Sequence, residues 1–199
     1  QERDVDYLKD VRNKLDSNHP FYFRKINKPN QQNSFSLDIS NRKMCEDLLK
    51  LGCMPNKSFK IEFPNENIVP KEFLKDFIRG YFEGDGSISI HQKPFAMLFI
   101  LVGNKNFLEK CAIFLEKEVK IRTYIRCTNP ERSKICILTV GGNLQVLKIL
   151  NWLYDGFNFT MKRKYERYLL LKEKYKFKNT EPRKVIKKLP QAQQRMNHE

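Results

Sequence analysis

The sequence has no apolar run long enough to span a membrane, no signal-like segment and no zinc-like spacing among its five cysteines. The first two absences argue against a membrane partner, and the third argues against a zinc module. Acidic residues are scarce, 23 against 38 basic ones, for a net charge of +15 over 199 residues. So one-signed a chain is attracted to polyanions, and nucleic acid is expected ahead of a membrane surface. Cys45, Cys53, Cys111, Cys127 and Cys136 are odd in number and irregular in spacing, which reads as reduced thiols of an intracellular, reducing compartment.

Glycine is scarce too, only eight residues, so where it falls carries meaning. Two glycines lie four apart in Phe77-Ile78-Arg79-Gly80-Tyr81-Phe82-Glu83-Gly84-Asp85-Gly86-Ser87, a stretch with a helical pattern. Each glycine inside a helix costs roughly 1 kcal/mol against alanine. Residues four apart share a helix face, so Gly80 and Gly84 form a flat strip on which a second helix can lie. Gly86 is expected to end the helix with a left-handed cap. Glu83 and Asp85 stand at the helix C-terminus, where the macrodipole disfavours negative charge: either this is a solvated acidic helix end before a turn, or something compensates, and a hard divalent cation with oxygen ligands would serve.

From the N-terminus, Glu2 to Leu15 carries Val5, Leu8, Val11 and Leu15 at a helical period. Phe21 to Ile26 reads as a strand. Ser34 to Ser40 alternates cleanly, Phe35, Leu37 and Ile39 against Ser34, Ser36, Asp38 and Ser40, which implies a sheet with one polar face. Asn41 caps a helix that stops at Gly52, and a Pro/Asn-rich linker runs to Pro70. Lys71 to Gly86 is a helix apolar around most of its circumference. Strands at Ser87–Gln92 and Phe95–Val102 follow, with Pro94 as the turn. A helix at Asn106–Val119, strands at Ile121–Thr128 and Lys134–Val140, a helix at Leu144–Tyr154 and a basic helix at Met161–Tyr175 complete the pattern.

The order repeats. Val5 to Gly52 corresponds to Phe107 to Gly156, helix for helix and strand for strand, so an internal duplication is expected. Residues 1–69 then form an incomplete first repeat with its linker, 70–175 a complete second repeat, and 176–199 a loose basic tail.

The motif Gly80-Tyr81-Phe82-Glu83-Gly84-Asp85-Gly86, followed by Ser87-Ile88 and set in a duplicated αββαββα order, resembles the LAGLIDADG homing endonucleases of the two-repeat, single-chain kind. The resemblance implies an α+β fold whose antiparallel sheets form a DNA-binding saddle with helices packed behind. It implies Mg²⁺-dependent hydrolysis of both strands of duplex DNA, with Mn²⁺ as a substitute or Ca²⁺ in a non-cleaving complex. Carried over, Gly80 and Gly84 are the helix interface and Asp85, with Gly84 beside it, is the metal site. The basic residue near each active site corresponds to Lys57 in the first half and to Lys162 or Lys164 in the second. Gln1 and Asn104 fall where a polar residue helps to position water. The implied DNA face holds Ser87, Ser89 and His91, then Arg122, Tyr124, Arg126 and Thr128, and in the first half Tyr22, Arg24, Ser34, Ser36 and Asp38. Arg122 and Arg126 are the first choices for base contact, since arginine bridges guanine O6 and N7. A solvated sheet face would alternate in the same way. Phe95 to Val102 fits least well, because its DNA face would be apolar: it either meets thymine methyls or runs in another register.

A two-repeat enzyme of this family needs two motif helices, and only one is present. The first is expected upstream of Gln1, in which case a monomer suffices. The alternatives are a motif helix from a partner chain, or a relative that binds DNA or intron RNA without cutting, such as a maturase. No intein splice-junction residues are visible, which favours an intron-encoded or free-standing origin.

Overall fold

The computed structural model describes residues 2–26, 32–55, 60–127 and 135–178. Helix α1 (Val5–Lys14) and strands β1 (Phe21–Arg24) and β2 (Ser34–Leu37) are followed by α2 (Arg42–Lys50). After the linker come α3 (Leu74–Asp85), β3 (Gly86–Gln92), β4 (Phe95–Asn104), α4 (Lys105–Val119), β5 (Tyr124–Cys127), β6 (Ile135–Gly141), α5 (Asn143–Tyr154) and α6 (Lys162–Lys178). From α3 to α5 this is the expected αββαββα order, and α1 to α2 repeats the order of α4 to α5. Helices α2 and α5 are both followed by a glycine in the left-handed region, Gly52 at φ +83° and Gly156 at φ +69°. Asn41 caps α2 by accepting from Met44 N at 2.9 Å. Among the described residues no helix is long and apolar enough to cross a membrane.

Two antiparallel sheets form, a β1–β2 ribbon and a four-stranded sheet of order β3-β4-β6-β5. The outer strand β3 alternates, while the central strands β4 and β6 are apolar on both faces. One face of the larger sheet carries Ile88, Met97, Phe99, Leu101, Leu138 and Val140, all buried beneath the helices. Phe82 of α3 stacks on Phe99 at 4.6 Å, and Phe107, Leu108 and Leu115 of α4 and Ile149, Leu150 and Leu153 of α5 close the layer. The other face is only half-buried, and among the described residues no element packs over it. The helices therefore lie behind an open antiparallel sheet, as the α+β reading requires. The described core runs from Leu74 to Leu171, and neither α1 nor α2 contains a buried residue. Helix α1 instead docks on the segment before α6, Tyr7 stacking on Phe159 at 4.9 Å, and Asp4 just ahead of α1 pairs with Arg163 in the first turn of α6 at 2.9 Å.

Three expectations are corrected. Gly86 is not a left-handed cap; it is extended, at φ −91° and ψ 167°, and begins β3 directly. Its requirement for glycine is steric, since a Cβ there would lie 2.3 Å from Phe82 Cδ2 and 2.6 Å from Phe82 O. The reading of five reduced thiols fails for one pair: Cys127 and Cys136 stand opposite each other in the β5–β6 register and are joined by a disulfide. Cys45 and Cys53 are free and exposed, and Cys111 is buried, which pushes its thiol pKa up. Finally, β5 begins at Tyr124 rather than Ile121. Gln145 Oε1 takes the Arg122 N–H at 2.6 Å and Glu116 Oε1 takes the Thr123 N–H at 3.0 Å, so these donors leave the sheet ladder for helix side chains.

Candidate functional site

Helix α3 is held from behind along its length. Ile78 and Phe82 are fully buried against the sheet, and Tyr81 donates its hydroxyl proton to Val102 O at 2.6 Å. Burial, then the Asp85 charge, keeps the Tyr81 hydroxyl protonated well above its usual range. Arg79 is buried as well. It donates to Leu153 O at 3.1 Å, pairs with Asp76 and lies 3.2 Å from the centre of the Phe157 ring. The outer side is different. Gly80 and Gly84 are exposed, and a Cβ added to either would meet nothing within 4 Å. Gly80 borders a cleft of about 460 Å³ between α3, Tyr7 of α1 and the rings of Phe157 and Phe159.

The acidic end of α3 separates two carboxylates that the sequence places side by side. Asp85 is the last helical residue and is exposed. Glu83 is 1 % exposed and points into the protein, accepting from Tyr154 Oη at 2.8 Å and from Met161 N at 3.0 Å. Burial raises its pKa against the pull of those two hydrogen bonds and of Lys164. Lys164 is likewise 1 % exposed; its Nζ donates to Glu83 O at 2.8 Å and to Phe82 O, and lies over the Phe82 ring. Burial lowers its pKa to about 8. The positive group that the acidic helix end calls for is therefore, at the backbone, a lysine. Glu83, Tyr154 and Lys164 together clamp the helix that carries Asp85.

Lys164 was visible to sequence reasoning only as a basic residue. Its signal lay in the period of α6, where Met161, Lys164, Tyr168 and Leu171 form one buried stripe. Lys162, by contrast, is the exposed first residue of α6. Asn104 caps α4 by accepting from Phe107 N at 2.9 Å, and its amide donates to Ile61 O at 2.7 Å, tying the linker to the end of β4. Gln1, Lys57 and Thr128 lie outside the described residues.

The open face of the larger sheet brings together Ser87, Ser89 and His91 of β3 and Tyr124 and Arg126 of β5, with β4 and β6 between them. Arg122 is exposed just before β5. In the N-terminal ribbon Tyr22 opposes Ser36 and Arg24 opposes Ser34, so these four share one face, and Asp38 follows exposed beyond the end of β2.

An open antiparallel sheet backed by helices, with an acid-ended helix leading straight into its first strand, defines an α+β class of domain. Residues 72–151 match the family model described as a LAGLIDADG-like domain. The matched segment is less than half of the chain and contains the Gly80–Gly86 motif on which the resemblance rests. No curated protein sequence matches the chain. Among solved structures it is similar to the archaeal intron-encoded homing endonuclease I-Vdi141I complexed with DNA, at 20 % identity and TM-score 0.38, over 52 % of this chain and 67 % of that one. It is also similar to the homing endonuclease I-CvuI in complex with its target in the presence of calcium, at 10 % identity and TM-score 0.38, over 54 % of this chain and 71 % of that one.

Proposed function

We propose that the protein is a site-specific DNA endonuclease of the LAGLIDADG type, making a Mg²⁺-dependent double-strand break at a long target. The observation that carries this reading is Asp85, an exposed carboxylate at the end of a clamped helix, next to a bare two-glycine strip and one residue before an open sheet. The net charge of +15 supports a polyanionic substrate. The strip supports a second motif helix, from elsewhere in the protein or from a partner chain, that would bring a second acid beside Asp85.

The donor set fits a hard cation: the Asp85 carboxylate and the Gly84 carbonyl are the oxygen ligands Mg²⁺ takes. Among the described residues no group of three acidic, histidine or cysteine side chains could hold an ion unaided. A second acid, brought by a docked motif helix, would complete such a sparse set. Bound there, a divalent cation supplies Lewis-acid stabilisation of the scissile phosphate and activation of water. In this scheme Asp85 would hold the ion at the clamped end of α3. Of the two lysines, exposed Lys162 is the candidate for a phosphate contact, Lys164 being committed to the α3 carbonyls. Ser87, Ser89, His91, Arg122, Tyr124 and Arg126 face the groove, phosphate contacts setting affinity and base contacts preference.

That the described residues hold one acidic motif helix favours a second reading, a relative that binds DNA or intron RNA without cutting. Incubation with the genomic DNA flanking the protein's own gene, in Mg²⁺ and in EDTA, separates the two. The endonuclease reading expects a linear product in Mg²⁺ alone; tight binding with no cut in either buffer would favour the second.

A further inference from the structure

The middle of the open sheet face is the one part of that surface that neither solvent nor phosphate explains. Across the register, Ser87 lies beside Ile100, Ile100 beside Thr139, and Thr139 beside Tyr124. In neighbouring rows Ser89 adjoins Leu98, and Val102 adjoins Ile137, which adjoins Arg126. The outer strands are polar and the inner two are apolar on this side as well as on the buried side. Strands apolar on both faces belong in sheets covered on both faces. Here the described helices cover one.

We propose that Leu98, Ile100, Val102 and Ile137 read thymine methyl groups in the major groove of the DNA target. The inference rests on the DNA-binding reading above and adds to it which base feature the sheet centre recognises. Apolar side chains find one apolar feature on base edges in that groove, the C5-methyl of thymine. The apolar strip is two strands wide, roughly 5 Å between strand axes, inside a groove about 12 Å across. It therefore meets base edges, while Arg126, Tyr124 and His91 on the outer strands are placed for guanine edges and phosphates. Tyr124 is 62 % exposed and Arg126 and His91 are exposed, so this rim is open. The same chemistry selects DNA over RNA, because uracil lacks the methyl and the A-form major groove is too narrow for side chains to read.

The test uses randomised duplexes made either with thymidine or with deoxyuridine, which differ only by that methyl, bound to the whole protein in EDTA. Duplexes enriched from the thymidine pool are then remade with deoxyuridine at single positions. Loss of each contacted methyl is expected to weaken binding roughly three- to fivefold. The Ile100→Ser and Val102→Ser variants should bring the thymidine-to-deoxyuridine ratio at one position each close to one. Equal binding of thymidine and deoxyuridine duplexes at every position would overturn the inference while leaving DNA recognition intact. Failure to bind any duplex, or preference for RNA of the same sequence, would overturn both.

Discussion

Replacing Lys164 by methionine is expected to lower the free energy of unfolding by roughly 3 kcal/mol, the range seen when one partner of a buried charge pair is removed. Methionine keeps an unbranched side chain beside the Phe82 ring but offers no proton to Phe82 O or Glu83 O, and it removes the cation whose charge acts most strongly on the buried Glu83 carboxylate. Urea denaturation of the single variants Lys164→Met and Glu83→Gln and of the double variant tests the coupling. The double should cost at least 1 kcal/mol less than the sum of the singles; additive costs would show that the two residues stabilise α3 independently. A pH series gives a second readout. The folded chain loses the Lys164 proton near pH 8, whereas the unfolded chain keeps it to about its ordinary 10.5. The unfolded state thus binds more protons in that window, and stability should gain from this group as pH rises through it. The charges facing Lys164 are those of Glu83, Arg163, Asp4 and Asp85, so the comparison is wild type minus Lys164→Met, which should lose the rise.

The glycine strip sets stability against activity. A Cβ at Gly80 or Gly84 meets open space, so each change to alanine should stabilise the chain by roughly 0.5–1 kcal/mol through helix propensity. Leucine at either position should also leave the fold intact, yet its side chain would hold off a second helix by several ångström and end cleavage while sheet-borne DNA binding persists. A thermal melt with a nuclease assay on Gly84→Leu checks both halves. Full activity in that variant would mean that nothing docks on the strip.

The order of elements could be read from the residues because each was locally self-consistent: Asn41 caps, Gly52 stops, and Ser34 to Leu37 alternates. The open face was legible for the same reason, Ser87, Ser89 and His91 sharing a side by strand period alone. What escaped depended on distant partners. Gly86 follows an acid at a helix end and looks like a cap, but its constraint comes from the Phe82 ring folded back beneath it. Lys164 sits in a run of Lys-Arg-Lys that hides which lysine the stripe of α6 buries. The Cys127–Cys136 pairing follows from the hairpin register, which cysteine spacing does not specify. Arg122 left the strand because Gln145, a residue of a different helix, accepts its N–H.

Strand-resolved mapping of cleavage by wild type and by Asp85→Asn tests the central claim most directly. Asparagine keeps the size of the side chain and removes the charge, so the end of α3 stays clamped by Glu83 and Lys164. The expected result is a protein that binds its target within about threefold of wild type and cuts one strand at least a hundredfold more slowly, a loss in keeping with removal of one electrostatic contact at a reacting centre. Normal cutting of both strands by Asp85→Asn would contradict the assignment of Asp85 to the reaction.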